Sequence, residues 1–284
     1  MNEERRVRIQ ESLERITRRW WFVLAIILVQ FIPPYASQRY DPAETATVVQ
    51  TILSRAVVSS WESWYPLFKI IPIILIIGLI VRGEKSSRIF SIYAGLTYLL
   101  FAFLQSIAVT EKYGLGVIIC NFLMFFFVAV LWFWEAAAGE NDFSPPGKRS
   151  LGNYWALLPA FFAFWGPINP KTMAPDFNPV YILTSGAGLA FCMMTPVYLA
   201  VLLFFYPQVN MALLRVTALT GLIIALYNML VNFVFLPEVL WWNGVLHLPL
   251  LFISLYALIL AYRKGEERQP FSKDRKHTDN VESV

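Results

Sequence analysis

Eight long apolar runs constrain this chain more than any other feature, at about residues 18–35, 64–81, 89–109, 115–134, 153–168, 180–206, 212–236 and 239–262. A helix needs about 20 apolar residues to cross ~30 Å of hydrocarbon, and it must satisfy its own backbone on the way. The runs predict an all-α fold, a polytopic helical bundle of about eight transmembrane helices. Only 15% of residues are charged, against roughly 25% in a soluble domain. The first and fifth runs are short and end at prolines, so a re-entrant path is open to either. The sixth is long enough to need a tilt or bend, which Pro196 supplies.

Basic residues set the orientation. With the N-terminus inside, 18 of the 23 Lys and Arg fall in inner connections, and Arg39, Arg55, Lys69, Lys112 and Lys171 fall outside. The positive-inside rule then predicts a cell-membrane protein with both termini in the cytoplasm. Three regions follow: an amphipathic cytoplasmic segment (1–19), a transmembrane domain (20–262) and a hydrophilic cytoplasmic tail (263–284). The first span is expected to stay uncleaved, because four glutamates precede it and no small-residue cleavage site follows. In the N-terminal segment Ile9, Leu13, Ile16 and Trp20 form one stripe, flanked by arginines suited to lipid phosphates.

An outer surface helix is predicted at about 42–61. Asp41 caps it, Pro42 opens it and Glu44 is placed as a capping-box acid. Val48, Val49, Ile52, Leu53 and Ala56 give it an apolar face. Segments 20–34 and 154–168 share Trp21/Trp155, Leu24/Leu158 and Pro33/Pro167, a faint echo of the kind left by parallel repeats.

Polar side chains inside spans mark helix contacts or a cavity. Gln30, Gln105, Asn121, Thr184, Ser185, Asn228, Asn232, Asn243 and His247 all fall in the outer half. The inner half reads as almost purely apolar apart from Arg215, which is placed to snorkel. The candidate binding residues are therefore Asn228, Asn232, Asn243, His247, Glu238, Thr184, Gln105 and Asn121. Glu238 and His247 are expected to lie close enough for the carboxylate to raise the imidazole's proton affinity. The competing expectation is plain interhelical hydrogen bonding, worth about 0.6 kcal/mol per contact.

Several chemistries lack their residues. Bis-histidine haem needs paired intramembrane histidines, and the second histidine, His277, is in the tail. One histidine and no mid-span acid argue against a metal centre. No GxxxxGK[ST], GxGxxG or GxSxG is present, and Cys120 and Cys192 read as small buried hydrophobes. No cofactor and no catalytic residue are assigned. The loop 166–179 holds four prolines, with Asn178 before Pro179 placed to cap the sixth span.

The functional expectation is a permease-like transporter of a small neutral or weakly charged solute through an outward-facing polar pocket. Gly186, Gly188 and Pro196 would let the sixth span bend. Two other classes use the same residues: an enzyme acting on a lipid or isoprenoid with Glu238 and His247 as acid–base pair, and a non-catalytic subunit of a membrane complex. The implied partners are the bilayer, a small solute and another subunit or copy along Thr184, Gly188 and Cys192; nothing points to nucleic acid.

Overall fold

The computed structural model describes residues 2–144 and 151–263. Lys148, Arg149 and the predicted tail beyond Arg263 lie outside the described residues. The chain forms a helical bundle: α1 (Glu3–Thr17), α2 (Trp20–Val29), α3 (Thr45–Ser54), α4 (Tyr65–Arg82), α5 (Glu84–Leu100), α6 (Ile119–Ala138), α7 (Leu157–Trp165), α8 (Tyr181–Thr184), α9 (Phe191–Phe204), α10 (Met211–Leu230) and α11 (Pro237–Tyr262). Among the described residues five helices are long and apolar enough to cross a membrane, and a sixth qualifies if the pair broken before Phe191 counts as one span. The first and fifth runs yield helices of only 10 and 9 residues, about 15 Å each at 1.5 Å per residue.

Helix α9 sits at the centre. It is apolar all round and its side chains from Met193 to Leu203 are buried, as expected of a helix enclosed by others. Around it α5 and α6 contribute Phe90, Tyr98, Phe101, Phe125 and Trp132, and the Phe125 and Phe191 rings stack at 4.1 Å. The outward side of α4 exposes Ile74, Ile77, Ile80 and Val81. An apolar stripe of that length open to water would be an association liability, and it is compatible with contact to a bilayer.

Two ends can be distinguished. At one, Tyr262 at the close of α11 donates to the Thr17 carbonyl closing α1. At the other lies a small sheet that the apolar runs concealed. Strands β1 (Tyr35–Ala36), β2 (Ile107–Thr110) and β3 (Gly114–Val117) pair antiparallel in the order β1-β3-β2, with Ile107 opposite Val117 and Thr110 opposite Gly114. The third predicted span therefore ends at Gln105 rather than 109, and the fourth starts at Ile119 rather than 115. Short apolar runs suit strand and helix equally, and here the hairpin takes the residues flanking the turn.

Helix α3 begins as expected. The Asp41 carboxylate accepts from the Ala43 N–H at 2.9 Å. Its apolar face packs on the sheet, with Val48 and Ile52 fully buried beside Ala108, Tyr113 and Ile118. Gly116 permits this approach, since a Cβ there would meet the Ile52 side chain at 2.7 Å. Glu44 does not close a capping box. Its carboxylate instead accepts from Lys112 Nζ at 3.0 Å and the Tyr113 hydroxyl at 3.2 Å, tying α3 to the hairpin.

Candidate functional site

The site is built around the start of α9. Asn178 Oδ1 accepts from the Val180 N–H at 3.0 Å in the turn before α8, but α8 itself begins after Val180 with no side-chain cap and lasts one turn. A 3-10 turn follows at Gly186–Leu189, and the chain bends by 97° before α9 begins at Phe191. Gly188 is required here: a Cβ would meet the Phe68 carbonyl oxygen of α4 at 2.5 Å. Opening a helix inside the bundle leaves its first N–H groups without intrahelical partners. Gln105 answers one of them, its Oε1 accepting from the Phe191 N–H at 3.0 Å. Gln105 can reach because α5 widens into a π-helical turn over Phe101–Gln105, a local change that re-aims side chains. Pro196 has no N–H to give, so the Cys192 carbonyl four residues back loses its helical partner.

Beside α9, helices α10 and α11 form an antiparallel hairpin in which polar residues meet across the seam. Asn243 Nδ2 donates to Asn232 Oδ1 at 2.9 Å, and Asn232 Nδ2 donates to the Asn228 carbonyl at 2.7 Å. Asn228 Nδ2 donates to the Ile224 carbonyl at 2.9 Å and touches Cys192 Sγ at 3.8 Å. Asn232 lies in a second π-helical turn, Val231–Phe235. His247 is buried, its Nδ1 2.6 Å from the Asn243 carbonyl. A carbonyl only accepts, so Nδ1 carries the proton, and in the neutral ring Nε2 keeps its lone pair. The amide nitrogens are thus used within the protein. Asn228 Oδ1, Asn243 Oδ1 and His247 Nε2 have no hydrogen bond among the described residues.

Four of the eight predicted residues, Asn228, Asn232, Asn243 and His247, therefore converge, with Cys192 as the link to α9. Gln105 serves the same helix start from the other side. Thr184 does not join them: it is exposed, and its hydroxyl donates to the Val180 carbonyl. Asn121 lies on α6 next to the Cys120 thiol. Glu238 is exposed in the first turn of α11, while His247 is nine residues further along the same helix, about 14 Å of rise. The expected carboxylate–imidazole pair is therefore not formed. The Thr184/Gly188/Cys192 ridge is divided as well, since the bend separates Thr184 from Cys192 and Gly188 is occupied by Phe68.

Three polar groups escaped the sequence reading. Lys69, counted as an outer loop cation, is fully buried on α4. Its Nζ donates to the Phe164 carbonyl in the last turn of α7 and sits 4.1 Å from the centre of the Phe164 ring. Both contacts suit a cation at a helix C-terminus. Its position inside the run 64–81 was the available signal.

At the α1 end, Glu135 is buried and accepts from the Asn141 N–H at 2.7 Å and Asn210 Nδ2 at 2.8 Å. Gln10 of α1 donates to Asn210 Oδ1 at 2.9 Å and accepts from Trp134 Nε1 at 2.8 Å. So α1 is clasped to the bundle through Gln10, with Leu13 of the predicted apolar stripe against the core and Ile16 left exposed. Arg215 does not snorkel. It is buried, donating to the Ala261 carbonyl, the Glu14 carbonyl and the Thr17 hydroxyl at 3.0–3.2 Å. The third group is a set of buried tyrosine and tryptophan donors between α5, α6 and α9. The half of the bundle toward α1, expected to be almost purely apolar, therefore holds buried polar groups, because counting amides and charges overlooks phenol, indole and hydroxyl groups.

Comparison with models of known protein families, with curated proteins and with solved structures gives no match, so the reading of this site rests on its own geometry.

Proposed function

We propose that this chain is a permease-like, multi-pass protein of the cell membrane. It moves a small neutral or weakly charged solute through a polar site open to the outside. In this reading the chain passes between the two faces eight times, with both termini cytoplasmic. Supporting the extra passes, the segment after Thr17 reaches the sheet at Tyr35, opposite Val117, although its helix is short. The arginines of α1 and Arg263 gather at the end assigned to the cytoplasm.

The observation that carries the proposal is the break before Phe191, where α9 restarts beside the Asn228–Asn232–Asn243–His247 seam. Interrupted helices with freed backbone groups are how many transporters make a solute site at membrane depth. The donor–acceptor balance refines the solute class. Asn228 Oδ1, Asn243 Oδ1, His247 Nε2 and the freed Cys192 carbonyl are all acceptors, so the solute carries N–H or O–H donors: an amine, an amide or a polyol.

Counterflow in proteoliposomes with labelled amines, amides and polyols tests this. At least one class should exchange faster than in protein-free vesicles, and Asn228→Ala or Asn243→Ala should lower that rate about tenfold, the loss of about 1.4 kcal/mol of binding. Flux equal to protein-free vesicles for every solute, or flux unchanged by both substitutions, would overturn it.

A further inference from the structure

Midway along the central helix, three helices each bring a polar group to one place without giving it a partner. Among the described residues, the hydroxyls of Tyr93 on α5 and Tyr198 on α9, and the Trp132 Nε1 on α6, have no hydrogen-bond partner. Tyr198 and Trp132 are completely enclosed, and their rings lie 5.7 Å apart. Thr97 faces both tyrosine hydroxyls, yet neither makes a hydrogen bond of regular geometry to it, and Thr97 spends its own proton on the Tyr93 carbonyl at 2.9 Å. The neighbouring Tyr98 is the contrast. Its hydroxyl is paired with Thr195 at 3.0 Å, so tyrosines in this core can be satisfied by side chains when geometry allows.

Leaving one such group unpaired away from solvent is expensive, and three in one place compound the cost. The chemistry of the set indicates what relieves it. An indole N–H only donates, the Thr97 oxygen has lone pairs to offer, and the two phenols can do either. Water matches that mixture, and a buried water typically makes about three hydrogen bonds to groups of this kind. We infer that Tyr93, Thr97, Trp132 and Tyr198 form a hydration site holding ordered water in the middle of the bundle. The site lies on α9 six residues beyond Cys192, about 9 Å, on the side away from the sheet. It gives α9 a wet station part-way between the seam and the α1 end, and it stands whether or not a solute is carried.

Radiolytic footprinting of the full chain in lipid nanodiscs tests the inference, because hydroxyl radicals generated from a bound water oxidise the side chains beside it. Tyr198 and Trp132 should be oxidised well above Phe101 and Phe125, which are also enclosed but carry no polar side-chain group to hold a water. In Tyr198→Phe, oxidation at Trp132 should fall by most of its wild-type value, and Tm should drop by about 2–4 °C as the water loses a partner. Oxidation of Tyr198 and Trp132 no greater than that of the phenylalanines overturns the site. So does a rise in Tm for Tyr198→Phe, the result expected when a hydroxyl is simply stranded. Should Tyr198→Phe fail to fold, the wild-type comparison and Trp132→Phe decide the matter alone.

Discussion

Single residues carry two sharp expectations. Asn232 is buried, and its Oδ1 depends on Asn243. Asn243→Ala strands that acceptor and should cost about 1–3 kcal/mol. Replacing both by leucine removes the orphan and should recover most of the loss. Thermal unfolding in detergent reads the difference, and equal losses in the single and double variants would mean the amides are not paired. Lys69 is the other case. Its ammonium has three donors but one carbonyl and one ring around it, so desolvation outweighs what it gains. Lys69→Met keeps the stem and should raise Tm by about 2–4 °C. A lower Tm would show the cation to be net stabilising. Neither expectation needed a long-range motif, yet only the amides stood out in the sequence. A lysine near the end of an apolar run is easily assigned to the interface, and burial is settled by partners that sequence order does not reveal.

Elements respond differently, because helix contacts yield or resist as units. Gly188→Ala sets a methyl against the Phe68 backbone, which has no rotamer to give, and overpacking of this kind costs about 1–3 kcal/mol. Gly221→Ala meets the Ser254 hydroxyl at 2.4 Å, a group that can rotate, so its loss should be smaller. Paired melting curves check the order of the two effects. Helix α3 offers a pH test. Lys112 and Tyr113 hold the Glu44 carboxyl below its ordinary value of 4.5, so the tie to the hairpin is present above that value and is lost as pH falls through the lowered one. Protection of α3 amides from exchange, corrected for the intrinsic rate, should fall as the pH drops below the ordinary carboxylate value, and less so in Glu44→Gln, which lacks the charge already. An identical acid response in Glu44→Gln would remove the tie as its cause. The start of α3 was legible because Asp41 and Pro42 act locally. The sheet was not, because Ile107–Thr110 and Gly114–Val117 are apolar enough to extend a span and become strands only by pairing with each other and with Tyr35.

At the scale of the whole molecule, hydropathy announced a membrane bundle, since bilayer thickness acts on every run alike. It did not announce that the sixth run breaks, that α1 is clasped to the bundle, or that polar groups extend below the seam. Those depend on which helices meet, as when Gln10 finds Asn210 across most of the chain length. The proposed function requires that water reach the seam beside the break from the outer face. Asn243→Cys in a Cys120→Ser/Cys192→Ser background, treated in intact cells with a membrane-impermeant maleimide, tests that most directly. Asn243→Cys should be labelled from outside, more slowly than the exposed loop position Lys171→Cys. Labelling at Lys171→Cys with none at Asn243→Cys would contradict it, leaving the asparagines as contacts between helices and nothing more.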